Sequence, residues 1–346
     1  MENHPLKTLA ALLAAVAAHA LSAQSLPPRP AITAENAASL KLRVLAQIRG
    51  NAYDVASTYR REVIVNGVGL DAGRIHFDLE TGRRVDSCDF GPGIYALAET
   101  PGVPIGQMMA YGRDSGIRII PEIGLCYPQY AGPIAAPWKL PASAKVTCLR
   151  FPRESKCFLG SGHSDGTVRL WDTCKRQLLW TSPPNSSSVS KVAVTSDGKT
   201  IAAAYEDASL RLWPVGGNRA RLAPLAKAKS DMRFRVLTFI ANGHKVVVAL
   251  GNETVVWDLA TDRVNRLPRG ADAVSPDDKI AVTIGEYVGE GTQGYTPLVL
   301  WNLANGAEIA TLKTASGMLA SSATFTPDGT ALLASTNAGE VLVWQP

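Results

Sequence analysis

Apolar residues in this chain fall in short alternating stretches broken by turn residues. "VAVTSDGKTIAAAY", "VLTFIANGHKVVVAL", "DAVSPDDKIAVTI" and "ATFTPDGTALLAS" each read as an apolar stretch, a turn and a second apolar stretch. Their Asp-Gly, Asn-Gly and Pro-Asp-Gly centres supply the positive-φ or pre-bent positions that a tight hairpin needs. A third stretch follows and ends on an aromatic, as in "SDGTVRLWD". Another turn ("DLETG", "DLATD", "NLANG") then leads to a short fourth stretch such as "AEIATL". Each unit is predicted to be four short strands.

The units keep a period. Trp171, Trp213, Trp257, Trp301 and Trp344 recur at spacings of 42, 44, 44 and 43 residues. Phe77 and Ile120 hold the same slot upstream, 43 apart, and the 51 residues from Ile120 to Trp171 carry an insertion. Four short strands at this period make one blade of a β-propeller, and seven blades close a ring without a free edge. The predicted fold is therefore all-β, a seven-bladed β-propeller of four-stranded blades. The chain stops at Gln345-Pro346 just after a third strand, so "LKLRVLAQI" (Leu40 to Ile48) is expected to close the last blade with an N-terminal strand. The seven slot residues then serve packing between blades rather than a stacking surface for ligands.

The stretch "GHSDGTVRLWD", with Asp165, Gly166 and the pair Trp171-Asp172, resembles the WD-repeat family in a degenerate form, similar to bacterial exported members. The resemblance covers about residues 40–346. Asp follows the slot aromatic only at Asp78, Asp172 and Asp258; Pro121, Pro214, Asn302 and Gln345 replace it elsewhere. No repeat opens on the family's Gly-His pair, which implies an incomplete Asp-His-Ser/Thr-Trp hydrogen-bond network. The resemblance implies a non-catalytic scaffold for a protein or peptide partner, built as a monomeric propeller.

Residues 1–23 read as a signal peptide: Lys7, an Ala/Leu run from Thr8 to Ala18, and small residues offering cleavage after Ala20 or Ala23. Gln24 rather than Cys follows, so no lipid anchor, and no membrane anchor of any kind, is expected. Residues 24–39 would be a leader, flexible over "QSLPPRPA" after cleavage and with a short helix after Thr33, and 40–346 the propeller. The expected location is exported, periplasmic or secreted. Export would place Cys88, Cys126, Cys148, Cys157 and Cys174 in an oxidising compartment, with at least one thiol left over. Cys148 and Cys157 flank a predicted hairpin turn, yet spacing does not fix the pairing.

Composition narrows the chemistry. At 46% apolar and 19% charged, the chain can bury a sizeable core. Its net charge of +5 is scattered; Arg60-Arg61 and Arg83-Arg84 are the densest pairs and have no aromatic platform beside them, which argues against nucleic acid. His76, His163 and His244 fall in three different blades, expected at the surface or in hairpins, with no shared metal spacing. Asp165, Asp197, Asp207, Asp277, Asp278 and Asp328 occupy positions that turns demand. "GEYVGEGTQGYTP" lacks the Lys-Ser/Thr ending of a phosphate loop. "DLETGRRV" is similar to the repeat tail of quinone-cofactor dehydrogenases, but the dominant aromatics here precede the turn. No catalytic residue, cofactor or metal is predicted.

Two insertions remain: Gly285 to Pro297, which lengthens the second-to-third-strand loop of blade six, and Tyr127 to Pro141, read as joining blade two to blade three. Both are expected on one face, where irregular aromatic loops on a rigid scaffold concentrate recognition. Tyr127, Tyr130, Trp138, Tyr287 and Tyr295 are the candidate partner-binding residues, unless the loops fold back onto their own blades. The alternative function is an exported propeller enzyme, hydrolase- or lactonase-like, with a site at the central channel. Acids or histidines converging on the channel mouth would mark it.

Overall fold

A computed structural model describes residues 29–346, apart from 58–61, 70–72, 89–95, 100–107, 114, 115, 122–137, 156, 224, 226–232, 268, 291, 292, 315 and 316. The signal-peptide reading lies outside the described residues. Lys41–Gln47 forms β1. Blade 1 follows as β2 (Gly50–Ser57), β3 (Glu62–Gly69), β4 (Gly73–Asp78) and β5 (Arg84–Cys88). Blade 2 is β6 (Ala96–Glu99), β7 (Met108–Arg113), β8 (Gly116–Pro121) and β9 (Trp138–Pro141). Blade 3 is β10 (Val146–Arg150), β11 (Phe158–His163), β12 (Val168–Asp172) and β13 (Gln177–Thr181). Blade 4 comprises β14 (Val189–Val194), β15 (Thr200–Tyr205), β16 (Leu210–Pro214) and β17 (Arg221–Leu222). In blade 5 these are β18 (Phe234–Ile240), β19 (Lys245–Leu250), β20 (Glu253–Asp258) and β21 (Val264–Leu267). Blade 6 has β22 (Ala273–Val274), β23 (Ile280–Ile284), β24 (Leu298–Asn302) and β25 (Glu308–Leu312). Blade 7 is β26 (Ala320–Phe325), β27 (Leu332–Thr336) and β28 (Glu340–Gln345), completed by β1 in the order β1-β28-β27-β26. Leu42 lies opposite Trp344 in that closing pair.

Every blade is an antiparallel meander, and that fixes two faces. Connections from first to second strand and from third to fourth leave at one end. Connections from second to third strand, and from one blade to the next, leave at the other. Trp138 is the first residue of β9, opposite Ile119, so the insertion of blade 2 joins its third strand to its fourth. It does not link blades 2 and 3, and Trp138 stands at the end of its blade opposite the Gly285–Pro297 loop. The expectation of one shared face is corrected by strand count alone.

Blades hold together through their faces. Trp171 packs with Ile117, Ile119 and Leu140 of blade 2. Trp213 meets Val168 and Leu170 of blade 3, with the ring centroid of Trp180 at 5.9 Å. Trp257 packs on blade 4, Trp301 on blade 5 and Trp344 on blade 6. Phe77 packs against Leu333, Val341 and Val343 of blade 7, which joins last blade to first. The side chain of Ile120 lies outside the described residues. Because a central strand is covered on both sides, all of β12 is buried, whereas outer β13 buries only Trp180. Gly162 makes one close approach possible: a Cβ there would stand 2.4 Å from Val189 Cγ1 and 2.5 Å from Cys148 Sγ.

The first hairpins repeat a local device. The hydroxyls of Thr195, Ser275 and Thr326 donate to Asp197, Asp277 and Asp328, at 2.7, 2.6 and 2.7 Å, and accept the amides of Thr200, Ile280 and Ala331. This is the Asx chemistry of a turn. Asp172 likewise accepts the Lys175 amide at 2.7 Å. The described end of the leader docks on the ring: the Ile32 amide donates to the Gly329 carbonyl at 2.8 Å, Ile32 and Ala37 are buried on blades 6 and 7, and Arg29 pairs with Glu80. Its helix is a single 3-10 turn, Ala37–Ser39.

Candidate functional site

Blade 3 carries a buried relay. Trp171 Nε1 donates to Ser161 Oγ at 2.8 Å, and Ser161 Oγ lies 2.8 Å from His163 Nε2. His163 Nδ1 faces the Ala144 carbonyl at 3.4 Å. A carbonyl only accepts, so Nδ1 carries the proton and Nε2 accepts from the Ser161 hydroxyl. His163 reaches this position from the end of its own second strand, so the network forms here without a Gly-His opening. Burial, with the Arg169 charge next, lowers the His163 pKa to about 4. His163 and His76 are both buried, against the surface placement expected for them. Blade 6 repeats part of the arrangement, Trp301 Nε1 donating to Thr283 Oγ1 at 2.9 Å. Blade 5 solves it differently: Trp257 Nε1 donates to Asp262 in the following turn.

On the same turn as His163, Gly166 adopts φ +73°, and a Cβ there would strike the Asn185 carbonyl oxygen at 2.1 Å. Asp165 accepts the Thr167 amide and hydroxyl at 3.0 and 2.6 Å. At the other end of the blade Cys157 and Cys174 form a disulfide, tying the first connection to the third. Cys148 keeps a free thiol whose pKa burial pushes up to about 12, so it is an inert apolar group. The side chains of Cys88 and Cys126 lie outside the described residues.

The first strands of the blades line a central cavity of about 490 Å³. Thr147, Cys148 and Arg150 come from β10, Ser190 and Lys191 from β14, Arg235 and Thr238 from β18, and Thr324 from β26; Arg153 lies in the connection after β10 and Asp272 directly before β22. The lining is basic. Arg235 pairs with Asp272 at 3.2 Å, and Asp272 Oδ2 accepts the Ile284 amide at 2.6 Å. Burial raises the Asp272 pKa, opposed by that amide and by Arg235. Arg153 pairs with Asp278 of blade 6, which also accepts the Ala241 amide of blade 5 at 2.8 Å. Among the described residues no three His, Cys, Asp or Glu side chains gather as a metal-ligand set.

Tyr287 and Tyr295 stand on the face where second strands end. The Val288 and Tyr295 amides and carbonyls exchange hydrogen bonds of 2.8 and 2.9 Å, closing a small hairpin. The Gly294 amide donates to Tyr287 Oη at 3.0 Å, and Gly317 donates to the Gly294 carbonyl at 3.0 Å. Tyr287 and Val288 nevertheless remain 44% and 46% exposed, while Tyr295 is half-buried. Tyr127 and Tyr130 lie outside the described residues, as does the side chain of Trp138. The hairpin is thus brought to the rim beside Asp272, and Trp138 is placed at the opposite end. The basic channel was missed in the sequence because its cations are scattered along the chain.

Seven four-stranded blades, six of them with an aromatic in the slot that packs on the preceding blade, define a repeat propeller. The family described as "WD domain, G-beta repeat" matches residues 138–172 and 176–214, the end of blade 2 through most of blade 4. The small ribosomal subunit protein RACK1 of Drosophila melanogaster is 26% identical over 135 residues, which cover 39% of this chain and 41% of that protein. The chain therefore matches under half of that relative's length. The WD40 β-propeller domain of Doa1 superposes with a TM-score of 0.62 at 15% identity, over 88% of this chain and 97% of that domain. Residues 138–214 thus carry WD-repeat segments, and the chain as a whole shares the WD40 propeller fold.

Proposed function

We propose that this propeller is a non-catalytic scaffold that binds a protein or peptide partner outside the cytoplasm, with Tyr287 and Val288 as anchors. The exposed aromatic-aliphatic pair on a hydrogen-bonded hairpin carries the reading. A braced loop loses little entropy on binding, and an exposed Tyr contributes a large contact area. The WD-repeat fold supports it, since such propellers generally bind proteins. Export is supported by residues 1–23 and by the Cys157–Cys174 disulfide, because such bonds persist in oxidising compartments. The channel lining of Arg150, Arg153, Lys191, Arg235 and Asp272 favours binding over the exported-enzyme reading, which called for converging acids or histidines.

Affinity capture from the native envelope and secreted fractions tests this, comparing the wild type with Tyr287→Ala/Val288→Ser. A partner enriched by the wild type should be lost with the double variant while thermal unfolding stays unchanged. Equal capture by both proteins would defeat the assignment of the site. Mass spectrometry of the mature N-terminus in the same fractions should place cleavage after Ala20 or Ala23.

A further inference from the structure

We infer that the central channel binds a small, multiply charged oxyanion, bearing phosphate or carboxylate groups, with Arg150 as its principal anchor. This does not rest on the scaffold reading, which concerns the rim. The lining holds four cations, Arg150, Arg153, Lys191 and Arg235, against a single acid, Asp272. That acid is already engaged by Arg235 at 3.2 Å and by the Ile284 amide. Arg153 is held by Asp278 and lies 3.3 Å from the Ser275 carbonyl. Arg150 is different: among the described residues its guanidinium has no carboxylate and no hydrogen-bond acceptor, yet it is solvent-accessible within the lining. Enclosure, and then the like charge of Arg153, lower its pKa, so the folded ring bears an electrostatic cost there that an anion would relieve.

The remaining lining sets the ligand class. Thr147 and Ser190 turn their hydroxyls to the Val189 and Ala204 carbonyls, at 2.6 and 3.0 Å, which leaves the Arg150 guanidinium as the donor open to a ligand. Guanidinium groups match phosphate and carboxylate in geometry as well as charge. Size points the same way. Arg153 leaves the first connection of blade 3 and reaches the first connection of blade 6. Those blades are three places apart in a ring of seven, so the contact crosses one end of the channel. A cavity of about 490 Å³ closed in this way suits a compact molecule rather than a threaded chain.

The test is calorimetric titration of the purified protein with pyrophosphate and with citrate at constant ionic strength. Arg150→Gln and Lys191→Gln are the channel variants, and Arg269→Gln, whose partner is the exposed Glu286, is the control. Saturable binding of at least one anion is expected, at least tenfold weaker in both channel variants and unchanged in the control. The anion that binds names the class. Absence of saturable binding to the wild type, or equal affinity in the channel variants, would overturn the assignment. If Arg150→Gln does not fold, Lys191→Gln decides by the same criterion.

Discussion

Trp171 donates its indole hydrogen to Ser161 across two neighbouring strands at 2.8 Å, and the same hydroxyl serves His163. All three side chains are buried. Ser161→Ala would strip a buried donor and a buried acceptor of their partner together. A loss of about 1–3 kcal/mol is expected, as a lower midpoint in urea unfolding. Ser335 offers the contrast, since its buried hydroxyl has no hydrogen-bond partner among the described residues. Ser335→Ala removes an uncompensated polar group and should leave stability unchanged or raise it. Equal losses from the two substitutions would show that the relay does not stabilise blade 3.

His163 also makes stability depend on pH. Its pKa is lowered to about 4 in the fold, from an ordinary 6.5 in the unfolded chain. Between those values the unfolded chain binds the extra proton, so protonation favours unfolding. The contribution is complete above about pH 6.5 and is lost as pH falls toward 4, with a slope of up to about 1.4 kcal/mol per pH unit. His163→Gln should flatten the slope of unfolding free energy over pH 4–6.5. An identical pH profile in the variant would contradict the buried neutral imidazole.

The Cys157–Cys174 disulfide closes a loop across 17 residues at the end of blade 3. Restricting a loop of that length in the unfolded chain stabilises by about 3 kcal/mol. Cys157→Ser/Cys174→Ser should unfold at a lower temperature, and dithiothreitol should lower the wild-type midpoint more than that of the variant. Cys148, half-buried, should react slowly with alkylating reagents until the protein unfolds, because its raised pKa leaves little thiolate.

Much of the fold was legible in the chain. The spacing of Trp171, Trp213, Trp257, Trp301 and Trp344 marks the blades because each blade must fill the same gap against its neighbour, so the requirement returns at a fixed interval. The turn acids were legible for a related reason: Asp197, Asp277 and Asp328 bond to groups within three residues of themselves. The exposed hairpin of Tyr287 showed as an irregular insertion in a regular series. His163 was misread because its partner Ser161 is also a strand residue, and alternation reports only that both lie on one face. The blade 2 insertion was misassigned because a four-residue fourth strand, Trp138–Pro141, lies beyond it with little pattern of its own.

By itself, then, the sequence determined the number of blades, their hairpins and the aromatic wedge between neighbours, since these follow from contacts that recur locally. Tertiary structure alone decided the channel. Arg153 and Asp278 are 125 residues apart, and Arg150, Lys191 and Arg235 come from three blades. Only closure of the ring brings the first strands around one axis. Charges scattered along the chain become a single electrostatic site there because they share a small enclosed volume in which water screens them poorly.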